Sequence, residues 1–339
     1  MTYLSFVATS RNDNHGGNLL ERMQAFVNGL SEQCSKHALE AELVLVEWNP
    51  PADKPRLAQA IHWPRAKSCA IRIIEVPAEV HYKLKYSSEL PLFQMIAKNV
   101  GIRRCKGEFA LATNIDILFS DEIMHFLASK RLKKNCMYRA DRYDVPMPTG
   151  NTMEEQLDFC RDHVVRISER ENIRNLVTGL NHPIYSKLTI RARVKEWMQE
   201  LGLAPVSSHT RLHTAACGDF TLLSRDRWFA LRGYAELEMY SLHIDSLLCH
   251  AAYHSGAREI AFRDPMRIYH IEHESGSGWS PEAVEKLGGR LTRLQIPQLP
   301  HSQFAEWAMQ MRRQRKAILF NAENWGFADH QFEETIVND

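Results

Sequence analysis

The chain has 339 residues, with 42 Lys and Arg against 41 Asp and Glu, and 44% of it is hydrophobic. That length suits one large domain or two ordinary ones with a real core, and it excludes an acidic disordered chain. The balanced charge excludes a protein built mainly to grip nucleic acid.

The first 120 residues alternate regularly. Leu4–Thr9 is a short β-rich run ending in polar, turn-prone residues. Asn18 is placed to cap a helix whose apolar positions Leu19, Met23, Phe26, Val27 and Leu30 share one face. Leu43–Glu47 reads as a buried strand stopped by Trp48-Asn49-Pro50-Pro51, and Ile71–Val76 as another ended by Pro77. A second helix turns Phe93, Ile96, Ala97 and Val100 inward, and Phe109–Thr113 is a fourth strand running into Asn114-Ile115-Asp116. Strands of this kind alternating with helices predict a parallel sheet covered on both faces. Ligands bind such sheets beyond the carboxyl ends of the strands. There is no dinucleotide-type glycine fingerprint and no Walker A sequence, which argues against dehydrogenases and P-loop enzymes.

From Cys136 to Pro205 the pattern changes. Asp141–Thr149 reads as a loop and Glu154–Leu201 as charged helix, together a helical insertion near an acceptor. Strand character returns over His213–Ser224, a helix fits Ser241–His254, and Arg263–Ser280 is a strand leading into a Gly- and Ser-rich loop. Phe304–Phe320 is an amphipathic helix, and its run Arg312–Lys316 reads as a solvated face. The seven cysteines form no CxxC pair, so neither a thiolate zinc site nor a disulfide framework is expected, and most read as small buried hydrophobes.

The most informative stretch is Ala97-Lys98-Asn99-Val100-Gly101-Ile102, then Lys106-Gly107-Glu108-Phe109, then Asn114-Ile115-Asp116. It closely resembles the core of the family 2 glycosyltransferases, which have the GT-A fold: A-R-N-x-G, a G-E-Y turn, and a strand ending in D-x-D. Downstream, Cys217-Gly218-Asp219-Phe220, Trp228, Gly233-Tyr234 and His243-Ile244-Asp245 resemble a second block of the same fold.

The resemblance implies an α/β GT-A domain, Rossmann-like, with a mostly parallel mixed sheet flanked by helices. Residues 1–135 would form the nucleotide-sugar-binding half and 136–205 the insertion. Residues 206–285 would form the acceptor or catalytic half, and 286–339 a C-terminal helical segment and tail. It implies transfer of a sugar from a nucleotide diphosphate sugar donor to a hydroxyl acceptor whose identity is unknown. A Mn²⁺ or Mg²⁺ ion would bridge the diphosphate and neutralise charge building up on the leaving group. Asp116 and His270 are then the metal-ligand candidates. Thr9, Ser10, Arg11, Glu47, Lys98, Asn114 and Trp279 are candidates for the nucleotide sugar. Asp245 is the general-base candidate, and Asp219 lies near the sugar hydroxyls. Asn114 stands where the pattern has its first acid, so one negative charge is lost. Structural alternatives are a cap or ion-pair role for Glu47, a solvated helix position for Lys98, and a backbone-bonded core position for His270. Strand alternation would put His270 and Glu272 on one face and His273 on the other.

Two other functions fit less well: a nucleotidyltransferase, and a non-catalytic nucleotide-sugar-binding protein that has lost the first acid. No apolar stretch reaches the ~18 residues of a membrane helix, and the N-terminus lacks the regions of a signal peptide. A cytoplasmic protein that binds no nucleic acid is expected, with peripheral membrane contact left open.

Overall fold

A computed structural model describes residues 2–65, 68–185, 189–273 and 281–337. The first half runs β1 (Leu4–Ser10), α1 (Leu19–Lys36), β2 (Ala41–Trp48), α2 (Leu57–Ala60), β3 (Cys69–Val76), α3 (Ala78–His81) and α4 (Gln94–Arg104). It continues through β4 (Phe109–Ala112), β5 (Ile117–Phe119), α5 (Asp121–Ala128), β6 (Cys136–Val145) and α6 (Met153–Asp162). Then come β7 (Arg166–Ser168), β8 (Asn172–Asn175), β9 (Asn181–Pro183), α7 (Ile190–Glu200), β10 (Thr221–Ser224) and α8 (Arg225–Leu231). The chain closes with α9 (Ile244–His254), β11 (Arg258–Ile271), α10 (Pro281–Arg293), α11 (His301–Gln314) and β12 (Glu333–Ile336).

These strands form one mixed sheet in the order β12-β3-β2-β1-β4-β10-β6-β7-β8-β9, with β11 beside β6 and β5 beside β11. β3, β2, β1 and β4 are mutually parallel, and β10 enters antiparallel between β4 and β6. The expected α/β sheet with helices on both faces is therefore observed. All seven residues of β1 are buried because both faces are covered: Val7 faces the layer of α4, α8 and α9, whereas Phe6 and Ala8 face that of α1 and α5. α4 lies tight on the sheet. A Cβ on Gly101 would come 2.6 Å from Val7 Cγ1 and 3.1 Å from Val46 Cγ2, so only glycine lets the helix approach this closely.

Four sequence expectations need correction. Residues 136–205 are not a helical insertion: β6 lies inside the sheet, and β7, β8 and β9 extend it as an antiparallel meander between α6 and α7. The C-terminal half of β6, from Asp141, reads as a loop from sequence because the strand carries Arg139, Asp141, Arg142 and Asp144, which are buried and hydrogen-bonded rather than solvated. Of His213–Ser224 only Thr221–Ser224 is strand; the preceding segment is pinned by the Arg139 guanidinium, which donates to the carbonyls of His213 and Ala215 at 2.9 Å each. Asn18 precedes α1 in a left-handed conformation and its side chain caps nothing; Asn14 Oδ1 accepts from Leu19 N instead. Within the basic run, Arg312 is buried and donates to the Ser208 carbonyl, while Arg313, Arg315 and Lys316 are exposed as expected. All seven cysteines are buried and unpaired by disulfides.

One packing feature sets an acid limit on stability. His209, His243, His250 and His301 surround Phe304 with ring centroids 5.3–5.9 Å away. His250 is fully buried, and neither ring nitrogen has a hydrogen-bond partner. Burial, reinforced by His209, His254 and Arg312, holds its pKa well below 6.5, and burial with Arg312 takes His254 down to about 4. These groups stay neutral in the fold but gain protons in the unfolded chain, so stability falls as pH drops below about 6.5. Thermal scans at about pH 7 and pH 5 are expected to show a large loss of melting temperature for the native chain. His250→Leu should narrow the gap.

Candidate functional site

The sheet register assembles a cluster at the carboxyl ends of the parallel strands. Asp116 immediately precedes β5, which pairs with β11 so that His270 lies opposite Ile117 and Ile271 N donates to the Asp116 carbonyl at 2.9 Å. On its other side β11 pairs with β6, placing His270 beside Asp144. His270 Nε2 is 3.8 Å, and His273 Nε2 3.4 Å, from Asp116 Oδ2. Ligand atoms of Asp116, His270 and His273 all lie within 4.8 Å of one another, the one such metal-capable group among the described residues. Arg22 of α1 completes the cluster, donating from Nη1 to Asp116 Oδ2 at 2.8 Å and from Nη2 to the His15 and Gly17 carbonyls. Gly16 lets that loop close: a Cβ there would stand 2.5 Å from His273 Nδ1.

The structure brings the sequence-predicted candidates Asp116 and His270 together and adds His273, which strand alternation places on the opposite face. β11 ends at Ile271, so alternation stops before His273; it is Glu272 that turns away, to bond Arg166. Arg22 carried no signal beyond its place in the first helix.

Burial by itself would raise the Asp116 carboxyl, but His270, His273 and Arg22 hold it well below the usual carboxylate range. Its Oδ1 is buried with no hydrogen-bond partner. His270 Nδ1 lies 2.8 Å from Asp144 Oδ1, an arrangement that fixes the ring and directs Nε2 toward Asp116. Burial and Arg142 lower the pKa of His270, yet the Asp116 and Asp144 carboxylates outweigh them and raise it overall.

A chain of side chains links this cluster to the second sequence block. Asp144 accepts from Arg166 Nε at 2.6 Å and pairs with Arg142, which also donates to Asp219 Oδ2 at 2.7 Å. Asn114 Nδ2 donates to Asp219 Oδ1 at 2.5 Å, and Asn114 Oδ1 accepts from Gln94. Both ends of the Asn114 amide are thus engaged within the protein. Asp245, in the first turn of α9, accepts from Ser246 N and stands over Gly218, where a Cβ would come 3.1 Å from its Oδ2.

Lys98 is not a solvated helix residue. It is wholly buried and donates to the Gly218 carbonyl at 2.7 Å. Burial brings its ammonium down to about 8, against the pull of Asp219, Asp245 and Asp116. Asn99 likewise accepts from Tyr234 N and donates to Tyr234 O, so two residues of the first motif bind the second block directly.

On the other flank, Thr9 Oγ1 donates to the Val46 carbonyl, and Arg11 Nε donates to Asn49 O at 2.6 Å, tying the ends of β1 and β2 together. Ser10 Oγ is buried without a partner, as is Thr113 Oγ1 just beyond β4. Glu47 takes the cap role: both carboxylate oxygens accept from Leu57 N, at 3.0 and 3.1 Å. Burial and neighbouring Glu75 lift its pKa to about 7 against the Leu57 hydrogen bond and Arg56. An acid with a raised native pKa contributes most below its unfolded pKa and loses that contribution as pH rises toward 7. Glu47→Gln is therefore expected to gain about 2–3 kcal/mol over the native chain in urea unfolding at pH 8 and little near pH 4.5. Trp279 and the Gly- and Ser-rich loop before it lie outside the described residues.

No family model matches the chain, and no curated protein matches it. Similar solved structures include the crystal structure of S. aureus TarS 1-349, at 13% identity and TM-score 0.46 over 93% of this chain and 71% of that one. The same protein in complex with UDP-GlcNAc gives 13% identity and TM-score 0.43 over 93% and 72%, and in complex with UDP 12% and 0.41 over 93% and 71%. Likeness at this level assigns no role to any residue.

Proposed function

We propose that this chain is a GT-A-like glycosyltransferase that moves a sugar from a nucleotide diphosphate sugar to a hydroxyl acceptor with the help of a divalent cation. The observation that carries this reading is the convergence of Asp116, His270 and His273 at the carboxyl ends of the strands: both imidazoles approach Asp116 Oδ2, while the other oxygen of the same carboxylate, Oδ1, is buried and lacks a partner. An unpaired buried oxygen of this kind costs about 1–3 kcal/mol, which a ligand would offset. The donor set fits a cation held by Asp116, His270 and His273 rather than by Asn114. Two imidazole nitrogens suit Mn²⁺ better than the oxygen-seeking Mg²⁺. When bound, the ion would supply Lewis-acid neutralisation of the donor diphosphate.

The chain's own residues would do the remainder. Arg22 adds a fixed positive charge beside the same carboxylate, and the unpartnered hydroxyls of Ser10 and Thr113 offer hydrogen bonds at the strand ends. Asp219, held at both oxygens by Asn114 and Arg142, is set to orient sugar hydroxyls rather than to take a proton. Asp245 accepts at Oδ1 from its own neighbour Ser246 and is the better general base.

Calorimetry with UDP- and GDP-sugars, with Mn²⁺ and with a chelator, tests the reading. Cation-dependent binding of one donor is expected, and its slow hydrolysis in the presence of the chain would separate a transferase from a binding protein. Failure of every nucleotide sugar to bind under either condition would overturn it.

A further inference from the structure

α7 reverses the usual polarity of a surface helix. Ile190, Val194 and Trp197, with Leu201 just beyond, recur at the spacing of a single helical face. That face points outward: the four side chains are 83%, 50%, 57% and 51% exposed. The polar side faces in. Gln199 is buried there and donates to the Pro205 carbonyl at 2.6 Å and to Ser207 Oγ at 2.9 Å. At about 100° per residue, Arg191 and Arg193 lie to either side of the apolar stripe, and both are exposed, as is Lys195. Leu203 after the helix, and Val177 and Leu180 at the β8–β9 turn, are further exposed aliphatic residues in the same part of the chain.

From this arrangement we infer that α7 lies in the surface of an anionic lipid membrane, its stripe of Ile190, Val194, Trp197 and Leu201 sunk into the headgroup boundary. Apolar residues including tryptophan on one face, with basic residues at the margins, are what an interfacial helix requires. No described helix is long and apolar enough to cross a membrane, so contact of this kind is superficial. Charge selects the occupant. Arg191, Arg193 and Lys195 are all exposed and make the N-terminal half of α7 cationic. A surface of anionic lipids meets those cations favourably. The inner side of α7 adds to the positive field: Glu196 lines a cavity of about 260 Å³ in which Arg170, Arg211, Arg258 and Arg312 outnumber Glu196 and Glu259. This inference is independent of the reaction proposed above.

Co-sedimentation with sucrose-loaded vesicles tests it. The full chain is expected to pellet with vesicles of phosphatidylcholine and phosphatidylglycerol in equal parts, and about tenfold less with phosphatidylcholine alone or at high salt. Ile190→Glu with Trp197→Glu, two exposed positions, should cut binding to the mixed vesicles by about tenfold or more. Because all seven native cysteines are buried, Val194→Cys supplies a single accessible thiol for an environment-sensitive fluorophore. Its emission should shift to the blue on mixed vesicles, which reads the helix directly without disturbing its charge. A native chain that stays in the supernatant, or a label whose emission does not move, would overturn the inference. So would a chain dimer, seen by sedimentation velocity, that the two glutamate substitutions dissolve, since the stripe would then belong to a second copy.

Discussion

Asp116→Asn is expected to abolish cation-dependent donor binding and to lower sugar transfer by about 10²–10³-fold. The substitution keeps the shape of the side chain but removes the carboxylate that Arg22, His270 and His273 share. Arg22 is itself nearly sealed from solvent, so its charge would lose its partner at a cost of about 3–5 kcal/mol. Two measurements separate function from stability. Mn²⁺ titration followed by paramagnetic resonance reads the site, and urea unfolding reads the fold. If Asp116 merely ends a turn, the second changes and the first does not.

Asp144→Asn should have an effect of similar size on stability and a smaller one on the cation. Asp144 is fully buried and accepts from Arg166 and His270 while pairing with Arg142. An amide offers one oxygen to these donors and turns its own N–H groups on at least one of them. Loss of about 3–5 kcal/mol is expected by chemical denaturation. Because His270 would lose the carboxylate that orients it, Mn²⁺ affinity should fall by about 10–100-fold. A variant with full Mn²⁺ affinity and reduced stability would confine Asp144 to an architectural role.

The parallel half of the sheet was legible because β1, β2, β3 and β4 are largely covered on both faces and so read as near-continuous apolar runs. Motif context led to Asp116 and His270 for the same reason that their backbone is regular: both sit at the ends of paired strands. Legibility failed where burial is polar. β6 hides its arginines and aspartates in hydrogen bonds to each other and to neighbouring segments, which periodicity does not reveal. The burial of Lys98 is hidden on the same ground, since a lone lysine on a helix gives no hint that a carbonyl 120 residues away will receive it. His273 was lost through strand alternation extended two residues past the true end of β11. Glu47 and Arg11 are a different case: both are nucleotide-sugar candidates by resemblance, and the hydrogen bonds they make within the chain serve the loops after β1 and β2.

The place of β10 has a consequence for biosynthesis. β4 ends at Ala112 and β6 begins at Cys136, yet the strand that joins their edges is not complete until Ser224. A nascent chain emerging from the ribosome must therefore carry two bare strand edges through the synthesis of some hundred further residues. Such edges recruit strands from other chains. The wait is long on the scale of hairpin formation, since translation adds about 5–20 residues per second. Yield on overexpression should thus respond to chaperone supply and translation rate more than to the stability of the finished fold.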